Sequence, residues 1–151
     1  MMDPIRLHPL DGPADLAATT HRRSPLPLQV PIPVPGVLDA TALAELAQLD
    51  PTGANNLLQR VLVTYRSSSA RLLGQIVAAR QPLDLPTIKI ASHTLKSSTA
   101  SVGALWLSAL CAMAEIAVRD GRHDVLPAIL DDLLLEAACI DVAVHQLLLP
   151  Q

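Results

Sequence analysis

Two long segments of the chain repeat mostly apolar residues at alternating spacings of four and three, and this pattern restricts the fold more than any other feature. The first segment runs from about Asn55 to Arg80, and the second begins at Asp124. The repeated positions are Leu58, Leu62, Tyr65, Ser69, Leu72 and Ile76 in the first segment, and Leu126, Leu130, Leu133, Ala137, Ile140, Val144 and Leu147 in the second. This spacing places side chains along one side of an α-helix, so we predict two long helices with one buried face each.

Helix start and stop signals predict three further helices. Asp39 or Thr41 can cap a short first helix, and Asp84 can cap the third. Gly103 and Gly121 lie where the third and fourth helices would end. The chain has one Trp, one Tyr and no Phe, which suits a helical core of Leu, Val, Ile and Ala better than a β-sandwich. We predict an all-α fold, an antiparallel four-helix bundle with a short preceding helix.

Residues 1–36 differ in composition from the rest of the chain. They contain eight of the 13 prolines, which excludes a helix and favours extended or polyproline structure. We predict a Pro-rich extended or disordered arm over residues 1–36 and a helical bundle over residues 37–151. The arm is interpreted as a semi-rigid tail, and the alternative is that its apolar residues lie along a hydrophobic groove.

Charge and cysteine content restrict the partners and the compartment. The net charge is −3 and the longest basic run is Arg22-Arg23, which argues against nucleic acid as a partner. Acidic residues interrupt the most apolar region, so we expect no membrane span. Cys111 and Cys139 fall at apolar helical positions, which predicts free thiols in a reducing compartment. We expect a cytoplasmic protein and a monomer.

His93 is predicted to face solvent on the third helix. At 100° per residue, one side of this helix gathers Ile88, Ala91, Leu95, Ser98 and Val102, and His93 points the opposite way. Lys89 lies one turn before His93, Lys96 and Ser97 one turn after it, and Ala100 two turns after it. A neutral imidazole is a competent nucleophile, and ammonium groups beside it can stabilise a phosphoryl oxyanion. Small residues beyond it would let a partner approach.

These residues resemble the motif of the histidine-containing phosphotransfer (HPt) domains of bacterial two-component phosphorelays. That motif has a His, a Leu two residues on, a Lys three on, a small residue at four and a Gly at ten. The positions are filled by His93, Leu95, Lys96, Ser97 and Gly103, with Ser97 where Gly is common. The resemblance extends from about Thr41 to Leu149.

The resemblance implies a phosphorelay intermediate that accepts a phosphoryl group on His93 from a receiver-domain aspartate and passes it to another response-regulator receiver. Lys96 would stabilise the phosphoryl group, and Lys89, Ser97, Ala100 and Gly103 would lie in the docking surface. The implied partners are response-regulator receiver domains and a hybrid sensor histidine kinase. No intrinsic cofactor or autonomous kinase activity is implied, and the receiver would supply Mg²⁺.

Two other functions are compatible with such a bundle. It could act as a docking or inhibitory adaptor for a receiver or sensor kinase without carrying phosphate, or as a helical oligomerisation module. An adaptor would need neither His93 nor Lys96, and both are present.

Other polar clusters are interpreted as exposed faces of helices. Asp141 and His145 share a polar face, and the spacing of His123-Asp124 relative to them matches no zinc pattern. Asp131, Asp132 and Glu136 are predicted to form an outer face. We predict no acidic residue that orients the His93 ring, which argues against a hydrolase triad.

Overall fold

The computed structural model describes residues 32–150, and this range contains five α-helices and no β-strand. The helices are α1 (Ala40–Gln48), α2 (Leu57–Ala78), α3 (Leu85–Ser101), α4 (Leu105–Arg119) and α5 (Leu126–Leu148). Helices α2 to α5 pack in sequence around one core, and α5 also contacts α2. The predicted all-α class, a four-helix bundle preceded by a short helix, is confirmed. No helix within residues 32–150 is long and apolar enough to span a membrane.

The core of the bundle consists of the two predicted apolar stripes together with the inner faces of α3 and α4. Of the predicted stripe positions, Leu58 is half-buried and Leu147 is exposed. Leu147 lies in the last turn of α5, where the neighbouring Leu148 packs against the core instead. Each fully buried Leu or Ile side chain stabilises the fold by about 1.5–3 kcal/mol through removal of apolar surface from water.

Two residues of α5, Cys139 and Glu136, lie on the opposite side of the helix from the one predicted by the sequence. Cys139 was predicted at an apolar position but is exposed, whereas Cys111 in α4 is buried as expected. Glu136 was predicted on an outer face but is only 6% exposed. Its Oε1 accepts a hydrogen bond from the backbone N–H of Gly36, 2.5 Å away, which compensates in part for removing the carboxylate from water.

The predicted N-terminal arm falls mostly outside the described residues. Gly36, which the sequence assigned to the end of the arm, binds Glu136 and therefore belongs with the bundle. The prediction of an extended or disordered conformation for residues 1–31 lies outside the part that the structure describes.

Aspartate side chains cap three of the helices. Asp39 caps α1, Asp84 caps α3, and the Asp50 carboxylate accepts the backbone N–H of Leu57 at the start of α2. The prediction that Asp124 starts the last helix is wrong. Helix α5 begins at Leu126 after Val125, and no side chain caps it.

Gly103 joins α3 to α4 and also holds α1. Its φ of +86° lies in the left-handed region, and its carbonyl accepts a hydrogen bond from the Asp39 N–H at 2.8 Å. A Cβ at position 103 would lie 2.8 Å from the Asp39 nitrogen and 2.9 Å from the Asp39 oxygen. The backbone of Asp39 can approach this closely only because residue 103 has no side chain.

Gly103→Ala is therefore expected to destabilise the bundle by about 3 kcal/mol, with a fall in melting temperature of roughly 10 °C. Thermal unfolding followed by circular dichroism measures the effect. Gly121 also has positive φ, but a Cβ there meets nothing within 4 Å. Gly121→Ala should cost only about 1 kcal/mol.

Gly74→Ala provides the opposite control. Gly74 lies inside α2 with open space around it, so alanine should stabilise the helix by about 0.5–1 kcal/mol. Equal effects of alanine at positions 103 and 121 would show that the contact with Asp39 contributes nothing to stability.

Candidate functional site

His93 projects from the middle of α3 into solvent. Its side chain is 65% exposed, whereas Ile88 and Leu95 on the other side of the helix are fully buried. Helix α3 is fixed at its start by Asp84, whose carboxylate accepts hydrogen bonds from the backbone N–H and the hydroxyl of Thr87. The apolar stripe orients α3 toward the core, and this orientation leaves the imidazole accessible to a partner.

Glu115 of α4 contacts both His93 and Lys96. Its Oε1 lies 2.8 Å from His93 Nδ1, and its Oε2 lies 2.7 Å from Lys96 Nζ. The Glu115 side chain is 17% exposed and that of Lys96 is 35% exposed, so the ion pair is partly shielded from water. The prediction that no acidic residue orients the His93 ring is therefore wrong.

A sequence signal for Glu115 existed. Helices α3 and α4 form an antiparallel hairpin joined by residues 102–104, and His93 lies 10 residues before the central Gly103 while Glu115 lies 12 residues after it. Glu115 is also the only acidic residue within Leu105–Arg119. Counting outward from the turn would have placed this carboxylate within one helical turn of the imidazole.

The register of α3 and α4 is held by hydrogen bonds at their joined ends. The Ala104 N–H donates to the Thr99 carbonyl at 2.8 Å, and the Ser108 hydroxyl donates to the Lys96 carbonyl at 3.0 Å. Ser92 and Thr99 are fully buried in α3. The hydrogen bonds of Ala104 and Ser108 fix the register that places Glu115 opposite His93.

The contacts of Glu115 determine its charge. Hydrogen bonding from Lys96 holds the pKa of the Glu115 carboxyl below its usual range, His93 acts in the same direction, and partial burial opposes them. Cys111, one turn earlier on α4, stays a neutral thiol because burial raises its pKa to about 12. The site at neutral pH therefore contains an ionised carboxylate beside an ammonium group and an imidazole.

This arrangement specifies which nitrogen of His93 is free. An ionised carboxylate can only accept hydrogen bonds, so His93 Nδ1 carries the proton and its N–H donates a hydrogen bond to Glu115. In the neutral ring, Nε2 then has an unshared electron pair. The ring nitrogen that Glu115 does not contact is thus the nucleophilic one, on a side chain that is 65% exposed.

The remaining predicted site residues divide into two groups. Lys89, Ser97 and Ala100 are exposed on the same side of α3 as His93. Gly103 is buried beneath Asp39, so the structure gives it a packing role and not the place in a docking surface that the sequence predicted.

His145 has the opposite hydrogen-bonding arrangement from His93. Its Nδ1 lies 3.2 Å from Arg66, which can only donate, so Nδ1 accepts and Nε2 carries the proton. Arg66 also binds both carboxylate oxygens of Asp141, at 2.7 and 3.0 Å. Asp141 and His145 do share a polar face, as predicted, but Arg66 joins them. In this tautomer His145 is a poor nucleophile at Nε2, because that nitrogen carries the proton.

Comparisons with known proteins agree with the fold and include the site. The family model described as Hpt domain matches residues 60–147, from within α2 to within α5. The crystal structure of histidine-containing phosphotransfer protein B (HptB) from Pseudomonas aeruginosa PAO1 is similar, with a TM-score of 0.65 and 25% sequence identity. The alignment covers 72% of this chain and 91% of that one. No curated protein matches the chain.

Proposed function

We propose a specific step of a phosphorelay for this chain. The chain belongs to the Hpt domain family and therefore has a phosphotransfer role in phosphorelays. His93 accepts a phosphoryl group from the aspartate of a receiver domain and passes it to the receiver of another response regulator. The observation that carries the proposal is the His93–Glu115 hydrogen bond, because it leaves Nε2 free on a side chain that is 65% exposed.

The transfer needs no acid or base other than His93 and Glu115. The electron pair of Nε2 attacks the phosphorus of the aspartyl phosphate, a P–N bond forms, and the P–O bond to the aspartate breaks. The aspartate leaves as a carboxylate with the bonding electrons. The ring keeps its Nδ1 proton and becomes positively charged, and the Glu115 carboxylate stabilises that charge at 2.8 Å. Attack by the next receiver's aspartate reverses the sequence.

Lys96 is proposed to stabilise the phosphoryl oxygens. Side chains on an α-helix lean toward its N-terminus, so Lys96 leans back toward His93 one turn before it. The ammonium group is already held there by Glu115 at 2.7 Å. A preorganised positive charge stabilises transferring phosphoryl oxygens without further reorganisation.

The proposed partners are response-regulator receiver domains and a hybrid sensor histidine kinase. Domains of this family are phosphotransfer carriers that interact with receivers and kinases in two-component systems. We propose that this chain has no kinase activity of its own and that the receiver supplies Mg²⁺ with its acidic pocket. We propose that the chain is a monomer and acts in the cytoplasm.

The proposal is tested by mixing the full chain with a phosphorylated receiver domain. We expect acid-labile, alkali-stable phosphate to appear on the chain as the receiver loses its own. Tight binding without any transfer would instead support a docking or inhibitory adaptor.

Lys96→Ala should shorten the half-life of the phosphorylated chain by about two- to fivefold and slow transfer. The effect is modest because solvent screens a partly exposed charge. The half-life is measured at several ionic strengths, with Lys89→Ala as the matched control. An unchanged half-life in the Lys96 variant would leave Lys96 without a role toward phosphate.

A further inference from the structure

A long groove separates α2 from α5, on the side of the bundle across from the α3–α4 pair. These two helices pack less closely against each other than the other neighbouring helices of the bundle. The space between them measures about 570 Å³, and the half-buried Leu73 and Leu134 lie in its lining. A hollow of about 460 Å³ that includes Val77 and Leu130 continues it toward the start of α5. We call these two spaces together the α2–α5 groove.

Both helices expose apolar side chains beside the groove at intervals of seven residues. They are Val63, Ala70 and Val77 on α2, and Leu135 and Val142 on α5. The four larger side chains are each more than half exposed. Leu135 and Val142 lie one turn on either side of Ala138, which lines the groove. A heptad repeat on an exposed face is typical of a helix that packs against another helix, whereas an extended peptide would require a repeat of two.

The two walls of the groove carry opposite charges. Helix α2 contains three arginines and no acidic residue, whereas α5 contains four acidic residues and no lysine or arginine. Two ion pairs join the walls, Arg66 with Asp141 and Arg80 with Asp131. Both aspartates remain at least half exposed in these pairs. Arg71 is exposed on α2, and none of the six ion pairs within residues 32–150 includes it. The groove is therefore basic along α2 and acidic along α5.

Shape and charge favour a single helix in the groove over a second copy of this chain. A second copy would bring an identical groove, and two grooves face to face would enclose an empty space. Shifting two symmetric copies so that a helix of each enters the other's groove would place α2 beside α2 or α5 beside α5, which brings like charges together. One helix is convex, and the stretch of about 21 Å from Val63 to Val77 accommodates four of its turns.

We propose that the α2–α5 groove binds one amphipathic helix of another protein, whose acidic flank lies along α2 and whose basic flank lies along α5. The opposite charges of the walls set the direction of that helix, because turning it end to end exchanges its flanks. Its apolar residues cover the exposed side chains of the groove. The groove lies across from the α3–α4 pair, so a bound helix tethers the chain to a partner and leaves His93 accessible. The proposal does not depend on which molecule phosphorylates His93.

A synthetic helical peptide of about 21 residues serves as the probe. It has leucine and alanine at the two apolar positions of each heptad, glutamate along one flank and lysine along the other. Chemical shifts of the ¹⁵N-labelled full chain are followed as the peptide is added. We expect changes in the groove residues of α2 and α5 and none around His93. The dissociation constant should be on the order of 100 µM, because one helix buries less area than a standard interface. Matched peptides with glutamate on both flanks, or lysine on both, should bind about three- to tenfold more weakly.

Ala70→Glu should weaken binding of the mixed-flank peptide at least about tenfold, because it narrows the groove and adds a negative charge beside the acidic flank. Ser67→Glu, on the same wall, serves as a second variant. Both residues are exposed, so circular dichroism should show a folded bundle in each case. Ala78→Glu is the matched control and should bind like the parent, since Ala78 is exposed on α2 but does not line the groove.

Equal affinity for the three peptides, normal binding by both groove variants, or shift changes centred on α3 would overturn the proposal. An absence of shift changes at about 1 mM peptide would do the same. A dimer that Ala70→Glu dissociates in sedimentation would assign the groove to a second copy, and equal shifts with decanoate would assign it to a small amphiphile. Either result contradicts a partner helix.

Phosphate uptake from a receiver domain distinguishes this proposal from the proposed function. Uptake by the full chain should be the same with and without the bound peptide. Uptake that is lost only when the peptide is bound would contradict the separation of the groove from His93. Uptake that is absent without the peptide contradicts the proposed function alone.

Discussion

His93→Gln is expected to abolish phosphoryl uptake from a phosphorylated receiver. Glutamine removes the ring nitrogen that forms the P–N bond but remains polar, and its amide can still donate to Glu115. Because the His93 side chain is 65% exposed, the substitution should change stability by less than about 0.5 kcal/mol. Uptake is measured with radiolabelled phosphate on the receiver, and helicity and melting temperature by circular dichroism.

The matched control is His145→Gln, which alters the other histidine bonded to a charged side chain. That variant should take up phosphate at the parent rate, since its outer nitrogen is protonated in the tautomer that Arg66 selects. Phosphate uptake persisting in the His93 variant would assign the acceptor to another residue.

Ala100→Arg is expected to reduce phosphotransfer by about 100-fold or more. Ala100 is exposed two turns beyond His93, so a long side chain there would hold the receiver's aspartate away from in-line reach of Nε2. Arginine is well tolerated on an exposed helical surface, and the bundle should remain folded. Calorimetric binding and phosphotransfer to the same receiver measure the effect.

Ala128→Arg provides the control for the added side chain. Ala128 is exposed on α5, which packs against α2 and α4. This variant should bind and transfer normally. If Ala100→Arg also transferred normally, the receiver would have to approach His93 from a direction that does not cross Ala100.

Local features of the sequence were sufficient to predict the helices and the exposure of His93. The spacing of Leu62, Leu72 and Ile76 specifies which side of α2 is buried. Asp84 caps α3 by accepting a hydrogen bond from the backbone N–H of Thr87, three residues later. These effects operate over one to three helical turns. They therefore appear in the sequence without knowledge of how the helices pack.

Features that depend on packing between distant segments were missed. Glu115 pairs with His93 only because the hairpin aligns residues 22 positions apart. The sequence of α5 predicts an exposed Glu136, but the residue is buried. The backbone N–H of Gly36, 100 residues earlier, donates a hydrogen bond to its carboxylate there. Gly103 matched the expected motif, but its role comes from contact with Asp39, which no motif specifies.

The most direct test of the account is to locate the phosphate on the wild-type chain after transfer from a receiver. Heteronuclear ³¹P and ¹⁵N magnetic resonance identifies both the phosphorylated residue and the ring nitrogen. The account predicts a single phosphoramidate on Nε2 of His93, with the Nδ1 proton retained in its hydrogen bond to Glu115. Phosphate on Nδ1, on another histidine, or on a serine or threonine hydroxyl would contradict it.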